Sequence, residues 1–286
     1  MIRLSGFVGI ELASSSFRPI TSANVQVAFA RLVLERNRGT GREQLAEAVW
    51  PDGPPNTWTS ALRSIVSRVR TYLNELDTPG LETTLACQGG RYVLTFPDDV
   101  VVDIESAERS ISDAMAKMKD GRNAEAFQSC EDVAAKLQGS FLPTHDGEWV
   151  NSVRQQVDSL RLSALEVASL TAAALGRTHR ALQYANEAIR QSPFRESAHR
   201  CRITAHAIMG NRAEALSAYH ELRLLLAEEL GIDPAPEVQA AYLDLLQACD
   251  DSLRAAPTLG VHGSILSSSQ QAVLGQLAPP HLSRRA

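Results

Sequence analysis

Two stretches of this chain, set a fixed distance apart, decide most of what it can fold into. "LGRTHRALQYA" begins at Leu175 and "MGNRAEALSAY" at Met209, so that Gly176 aligns with Gly210, Ala181 with Ala215 and Leu182 with Leu216, an offset of 34 residues each time. "DGRNAEAF" gives a weaker third copy through Gly121 and Ala126. A helical pattern that returns at this spacing describes paired helices stacked on copies of themselves, because one pair cannot bury its apolar face alone. The glycines are expected to end one helix of each pair, and the small alanines to let the paired helices approach. Leu182, Ile189, Leu216 and Leu222 are expected between the stacked helices.

The period is that of tetratricopeptide repeats, and helical patterning runs almost unbroken from Val101 to Cys249. Residues 99–253 are therefore expected to form a tetratricopeptide-like α-helical repeat domain. Beyond it, 254–286 shifts to Ser, Gln, Pro and small residues with no sustained period, the composition of a disordered tail.

Residues 1–98 read differently. Positions 2–20 are rich in Ser, Gly and β-formers and predict short strands in a small sheet, and Ser22–Glu35 turns helical. In "NRGTGREQLAEAVWP", Thr40 followed by Glu43 has the spacing of a capping box, and Pro51 stops the helix that follows. "PDGPPNT" is a loop. A third helix is predicted from about Trp58 to Glu75, and "LACQGGRYVLTF" reads as two strands around the Gly89-Gly90 turn. This order of elements predicts an N-terminal winged helix-turn-helix. The chain as a whole is expected to be mainly α with a small β component.

In the third helix, "ALRSIVSRVR" places Leu62, Ile65, Val66, Val69, Tyr72 and Leu73 within an arc of about 120°, wide enough to bury against two preceding helices. The opposite face carries Arg63, Ser64, Ser67, Arg68, Arg70, Thr71 and Asn74. A plain solvated face is the simplest account of it. That face, however, has no acidic residue before Glu75, whereas ordinary solvent faces mix both signs. Its polar residues suit phosphate oxygens and base edges, and the hairpin that follows carries Arg91. Arg63 and Arg70 are the candidates for base edges, and Arg68 and Arg91 for phosphates. The net charge of the whole chain is −5, but residues 1–98 hold ten Arg against nine acidic residues. A nucleic-acid surface must then be local and N-terminal.

"EQLAEAVWPDGPPNTWTSALRSIVSRVRTYL" resembles the effector domain of the Streptomyces antibiotic regulatory protein family, with its Leu-rich helix ending in Trp, proline-containing loop and V-S-R-x-R core. "EWVNSVRQQVDSLRLSALE" and "GNRAEALSAYHELRLLLAEELGIDPAPEVQAAY" are similar to the bacterial transcriptional activator domain that follows it in that family. The resemblance covers about 2–250. It implies a sequence-specific activator of a secondary-metabolite (antibiotic) gene cluster that binds direct repeats in promoter double-stranded DNA and recruits RNA polymerase. The small net charge of residues 1–98 predicts weak binding by one copy, and so a homodimer on the repeat. It also implies that the loop with Asp52, Gly53, Asn56 and Thr57 faces RNA polymerase.

Other chemistry finds little support. His199 and His206 could share a helical face, but no carboxylate or Cys completes a metal set at i+4, so no metal is expected. Glu228 and Glu229 sit before Gly231, a good helix C-cap, and read as helix surface. No G-x-x-x-x-G-K-[ST] occurs, no residue suggests catalysis, and neither an enzyme nor a cofactor is expected. Trp50, Trp58 and Trp149 read as packing residues. Cys87, Cys130, Cys201 and Cys249 lack paired spacing and read as reduced, mostly buried thiols of a cytoplasmic protein with no membrane partner. Two other functions compete: a protein-protein adaptor whose winged helix no longer binds DNA, and a small-molecule sensor using the repeat groove. Charge separates the first from an activator, because acidic Glu43, Glu47 and Asp52 would neutralise the arginine face of an adaptor.

Overall fold

The computed structural model describes residues 1–12, 16–76 and 83–254, with 248–254 described by their backbone. Within them the chain forms two compact units, Met1–Glu108 with Ala135–Leu160, and Arg109–Ala134 with the chain from Arg161 onward. The first unit thus includes residues 99–108 and 135–160 beyond the stretch that sequence patterning set apart as 1–98. Of the expected tail, 254–286, the first residue Arg254 ends a helix and 255–286 lie outside the described residues.

The first unit opens with the antiparallel strands β1 (Ile2–Arg3), β2 (Gly9–Glu11) and β3 (Phe17–Pro19), in which Ile2 faces Ile10 and Ile10 faces Arg18. Helix α1 (Ala23–Leu34) follows, then strand β4 (Thr40–Gly41), α2 (Arg42–Val49), α3 (Trp58–Asn74) and the hairpin β5 (Thr84–Gln88) and β6 (Arg91–Thr95). The second sheet has the order β4-β6-β5, so β6 is central and β5 is an edge. Helix α1 is apolar over most of its surface, with Val27, Phe29, Leu32 and Val33 buried, because it packs against α2, α3 and β6.

The start of α2 corrects the sequence expectation by one residue. Thr40 is buried in β4 opposite Tyr92, and its hydroxyl donates to Glu35 Oε2 at 3.0 Å. The N-cap is Gly41, whose N–H donates to the Gln44 side chain at 3.0 Å. The reciprocal logic of a cap holds, but sheet pairing claims Thr40.

The chain after the hairpin returns to the first sheet. At the first residue of α4 (Asp103–Lys119), the Asp103 carboxylate accepts the N–H groups of Leu4 and Ser5 at 2.8 and 2.9 Å. Burial pushes this carboxyl above its usual pKa, outweighing the backbone donors that favour its charge. Arg36 forms a two-pronged pair with Glu105. In 135–160, Arg154 donates to the carbonyls of Phe141, Leu142 and His145, and the Arg31 guanidinium lies 5.1 Å from the Trp149 ring centre.

The second unit is helical: the remainder of α4, all but the last two residues of α5 (Asn123–Lys136), the remainder of α6 (Glu148–Ala174), α7 (Thr178–Gln191), α8 (Glu196–Ile208), α9 (Arg212–Leu230) and α10 (Pro236–Arg254). Three identical turns confirm the repeat. The N–H groups of Gly121, Gly176 and Gly210 reach back three residues, and those of Arg122, Arg177 and Asn211 reach back five, which is the Schellman pattern of a helix end. Five, nine and twelve residues after each glycine the side chain is buried: Ala126, Cys130 and Val133; Ala181, Ala185 and Ala188; Ala215, Tyr219 and Leu222. Of the four residues expected between helices only Leu222 is buried, while Leu182, Ile189 and Leu216 are half-buried. Alanine recurs at the first of these three positions in every copy, and larger side chains such as Val133, Tyr219 and Leu222 fill some of the others.

Candidate nucleic-acid interface

Helix α3 follows the proline loop and runs seventeen residues, long enough to show its apolar stripe through more than four turns. Leu62, Ile65, Val66, Val69 and Leu73 are buried. Tyr72 is half-buried, stacks edge-on against Phe29 and uses its hydroxyl twice, accepting the Ile10 N–H and donating to the Arg18 carbonyl. Burial pushes its pKa up to about 12. The stripe seats α3 on α1 while Tyr72 ties it to the first sheet, and the opposite face is left to solvent.

That face carries Arg63, Ser64, Ser67, Arg68, Arg70, Thr71 and Asn74, all exposed, and Arg91 is exposed at the first residue of β6. The four arginines differ in their engagements. Arg63 and Arg68 make no hydrogen bond or ion pair among the described residues. Arg70 donates from Nε to the Leu85 carbonyl of β5 at 3.0 Å. Arg91 donates from Nε and Nη2 to the Gly39 carbonyl at 3.3 and 2.9 Å. The structure therefore joins α3 to one strand of the hairpin and the other strand to the turn before α2.

Acidic neighbours do not cancel this surface by pairing. Among the described residues up to 100, the ion pairs are Arg31 with Glu35 and Arg36 with Glu105, and none joins Glu43, Glu47 or Asp52 to the arginines of α3 or to Arg91. The loop residues Asp52, Gly53, Asn56 and Thr57 are all exposed. Pro51 at its base meets Gly147, where a Cβ would lie 3.0 Å from the Pro51 ring.

One basic residue went unremarked in the sequence. Arg42 is exposed at the first position of α2, and Nη2 lies 3.6 Å from the Cys87 sulfur of β5, a hydrogen bond that raises the guanidinium pKa further. A cation in the first turn of a helix opposes the helix dipole, and that mismatch was the available signal. Cys87 is exposed, whereas Cys130 and Cys201 are buried, in keeping with the expectation of mostly buried thiols. The Cys249 side chain lies outside the described residues.

The histidines of α8 are packing groups in this geometry. His199 is 4% exposed and donates from Nε2 to the Pro193 carbonyl at 2.8 Å, and burial lowers its pKa. Burial likewise lowers that of His206. Among the described residues no group of three His, Cys, Asp or Glu could hold a metal, and no helix is long and apolar enough to cross a membrane. Glu228 and Glu229 are exposed on α9, which ends at Gly231 in the left-handed conformation.

Residues 102–246, just over half of the chain, match the model of the bacterial transcriptional activator domain. The regulatory protein AfsR of Streptomyces griseus is 26% identical over 248 residues, which is 87% of this chain and 24% of AfsR. The transcriptional regulator RedD of Streptomyces coelicolor is 24% identical over 250 residues, covering 86% of this chain and 70% of RedD. The chain spans about a quarter of the length of the AfsR relatives. The solved structure of Mycobacterium tuberculosis EmbR, in complex with a low affinity phosphopeptide, superposes with a TM-score of 0.79 at 21% identity, over 96% of this chain and 67% of that one, and so shares its fold. AfsR is named as a regulatory protein and RedD as a transcriptional regulator, neither as an enzyme. The match across the repeat helices, with its regulatory relatives, makes this chain a member of the bacterial transcriptional activator domain family, of the Streptomyces antibiotic regulatory protein type.

Proposed function

We propose that this protein is a cytoplasmic, sequence-specific DNA-binding transcription activator of a secondary-metabolite gene cluster. In this reading residues 1–98 work as a winged helix-turn-helix, with α3 as recognition helix and the β5–β6 hairpin as wing, and 99–253 form the activator domain. One observation carries the reading: the outward face of α3 is exposed, basic and polar, and no acidic side chain among the described residues pairs with it. In this reading Arg63 pairs with the O6 and N7 of guanine in a major groove, and Arg68 meets phosphate. Ser64, Ser67, Thr71 and Asn74 add shorter donors and acceptors, and Arg70 and Arg91 lie where helix and wing meet.

Residues 1–98 carry a net charge of only +1. Attraction that scales with phosphates neutralised is then weak for one copy, and two copies on a promoter direct repeat supply the rest. The exposed loop at Asp52, Gly53, Asn56 and Thr57 is the surface offered to RNA polymerase. Footprinting of the purified protein on the DNA flanking its own gene tests the reading, with protection of a spaced direct repeat expected. An Arg63→Ala variant is expected to lose about 1–3 kcal/mol of affinity there and to relax preference at one base position. Failure of the unmodified protein to bind that DNA or any other duplex at low salt would leave the adaptor reading in its place.

A further inference from the structure

Resting on the DNA-binding reading, we infer that Arg70 is a positioning residue: it fixes the pose of the wing against the recognition helix instead of reading a base. Three facts separate it from Arg63 and Arg68. Its Nε is committed to the Leu85 carbonyl at 3.0 Å, while theirs are not committed to any described residue. Leu85 lies on β5, the edge strand of the sheet, where outward carbonyls have no strand to receive them and a side-chain donor both satisfies and covers the edge. Leu85 also pairs with Leu94, which is 2% exposed, so the accepting carbonyl is held by the core and does not follow the side chain.

The other strand of the wing is fastened in the same way. Arg91 on β6 gives two N–H groups to the Gly39 carbonyl. Gly39 has φ of +66°, and a Cβ there would come within 3.1 Å of Val93 Cγ2 and 3.2 Å of the Tyr92 carbonyl, so the turn is shaped to receive the wing closely. Each strand of the hairpin thus carries one arginine-to-carbonyl strut, one from α3 and one to the turn before α2. A wing held in place before DNA arrives need not be ordered on binding, and that ordering cost is what the struts remove.

A guanidinium that reads phosphate and one that holds a strand differ in salt dependence and in which substitution restores them. Glutamine places a side-chain nitrogen at the same bonding position as arginine Nε, with a donor but no charge. Titrations on a duplex from the promoter region flanking its own gene, and on mixed-sequence duplex, at several salt concentrations, compare the unmodified protein with Arg70→Met, Arg70→Gln and Arg68→Ala. Arg70→Met is expected to weaken binding roughly three- to tenfold with the slope of log affinity against log salt unchanged. Arg70→Gln is expected to recover most of that loss, while Arg68→Ala flattens the slope by about one. If Arg70→Gln binds as poorly as Arg70→Met and both flatten the slope by about one, Arg70 contacts phosphate and the inference fails while the DNA-binding reading stands. Unchanged affinity in Arg70→Met also overturns it, and absence of binding by the unmodified protein removes both.

Discussion

The phenol oxygen of Tyr72 accepts the amide N–H of Ile10 at 2.9 Å, joining the recognition-helix candidate to the first sheet across 62 residues of sequence. The same hydroxyl donates to the Arg18 carbonyl at 2.7 Å, so one atom serves two strands. Tyr72→Phe keeps the ring against Phe29 and removes both bonds, and it is expected to cost about 1–2 kcal/mol in chemical denaturation. The tyrosine also sets an alkaline limit. Its folded pKa of about 12 lies above the usual value of 10.0, so the native state holds the proton more tightly than the unfolded chain. The stability it contributes is complete below about pH 10 and lost as pH rises from there through about 12. Denaturation midpoints measured across that window are expected to fall more steeply for the unmodified protein than for Tyr72→Phe; parallel curves would show that the phenol does not carry the effect.

Gly210 closes the turn between α8 and α9 with φ of +75°, and a Cβ built there would meet nothing within 4 Å. Space is therefore not the constraint; backbone conformation is. Gly210→Val is expected to destabilise the second unit by about 1 kcal/mol or more, because a β-branched residue is strained at positive φ. Gly210→Asn should lose much less, since Asn tolerates the left-handed region. Equal losses for the two variants in thermal melts would point to a contact missed at this turn.

These turns were legible in the sequence because the repeat writes each glycine three times in the same relation to a buried alanine. The apolar stripe of α3 was legible for the same reason, since helical periodicity is local information. The misread cap at Thr40 shows the limit: Thr40 and Glu43 have the right spacing, but Thr40 is taken by pairing with Tyr92, far along the chain. Likewise the exposure of Arg70 followed from the helical wheel, but its bond to Leu85 depends on where the hairpin folds back. Nothing in "LQGSFLPTHDGEWV" signals that 135–160 packs with the N-terminal unit, because the contacts that do it, such as Ser5 Oγ donating to the Gly139 carbonyl and Arg31 lying over the Trp149 ring, join residues more than a hundred positions apart.

His199 gives the repeat unit an acid limit. Its Nε2–H donates to the Pro193 carbonyl, its Nδ1 is buried without a hydrogen-bond partner among the described residues, and burial outweighs the facing Glu196 and Glu221 to lower its pKa. Protons then bind the unfolded chain more readily than the native one, so stability rises with pH through the window below the unfolded value of about 6.5 and falls on acidification through it. His206, lowered by burial against Glu214 and Glu221, adds in the same direction. Denaturation of the unmodified protein is expected to grow easier between about pH 7 and 5, and His199→Gln, which cannot take up a proton, to flatten that dependence. An unaltered pH profile in the variant would assign the acid limit to other groups.

Asp52 stands in the loop between α2 and α3, where every residue from Pro51 to Thr57 is exposed and Gly53 turns the chain at φ of +109°. The loop is braced from beneath, with the Gly53 N–H donating to the Trp50 carbonyl at 3.1 Å and Pro51 set close over Gly147. It is thus presented in one shape without lending any side chain to the core, which suits a surface meant for a protein. The Asp52 carboxylate makes no ion pair among the described residues, so its removal should cost the fold within about 0.5 kcal/mol. Asp52→Ala is therefore expected to leave melting temperature and promoter affinity near those of the unmodified protein while lowering transcription in a reconstituted assay with RNA polymerase. Were promoter affinity to fall in step with transcription, the loop would belong to the DNA-binding surface; were neither to change, another surface would have to meet the polymerase.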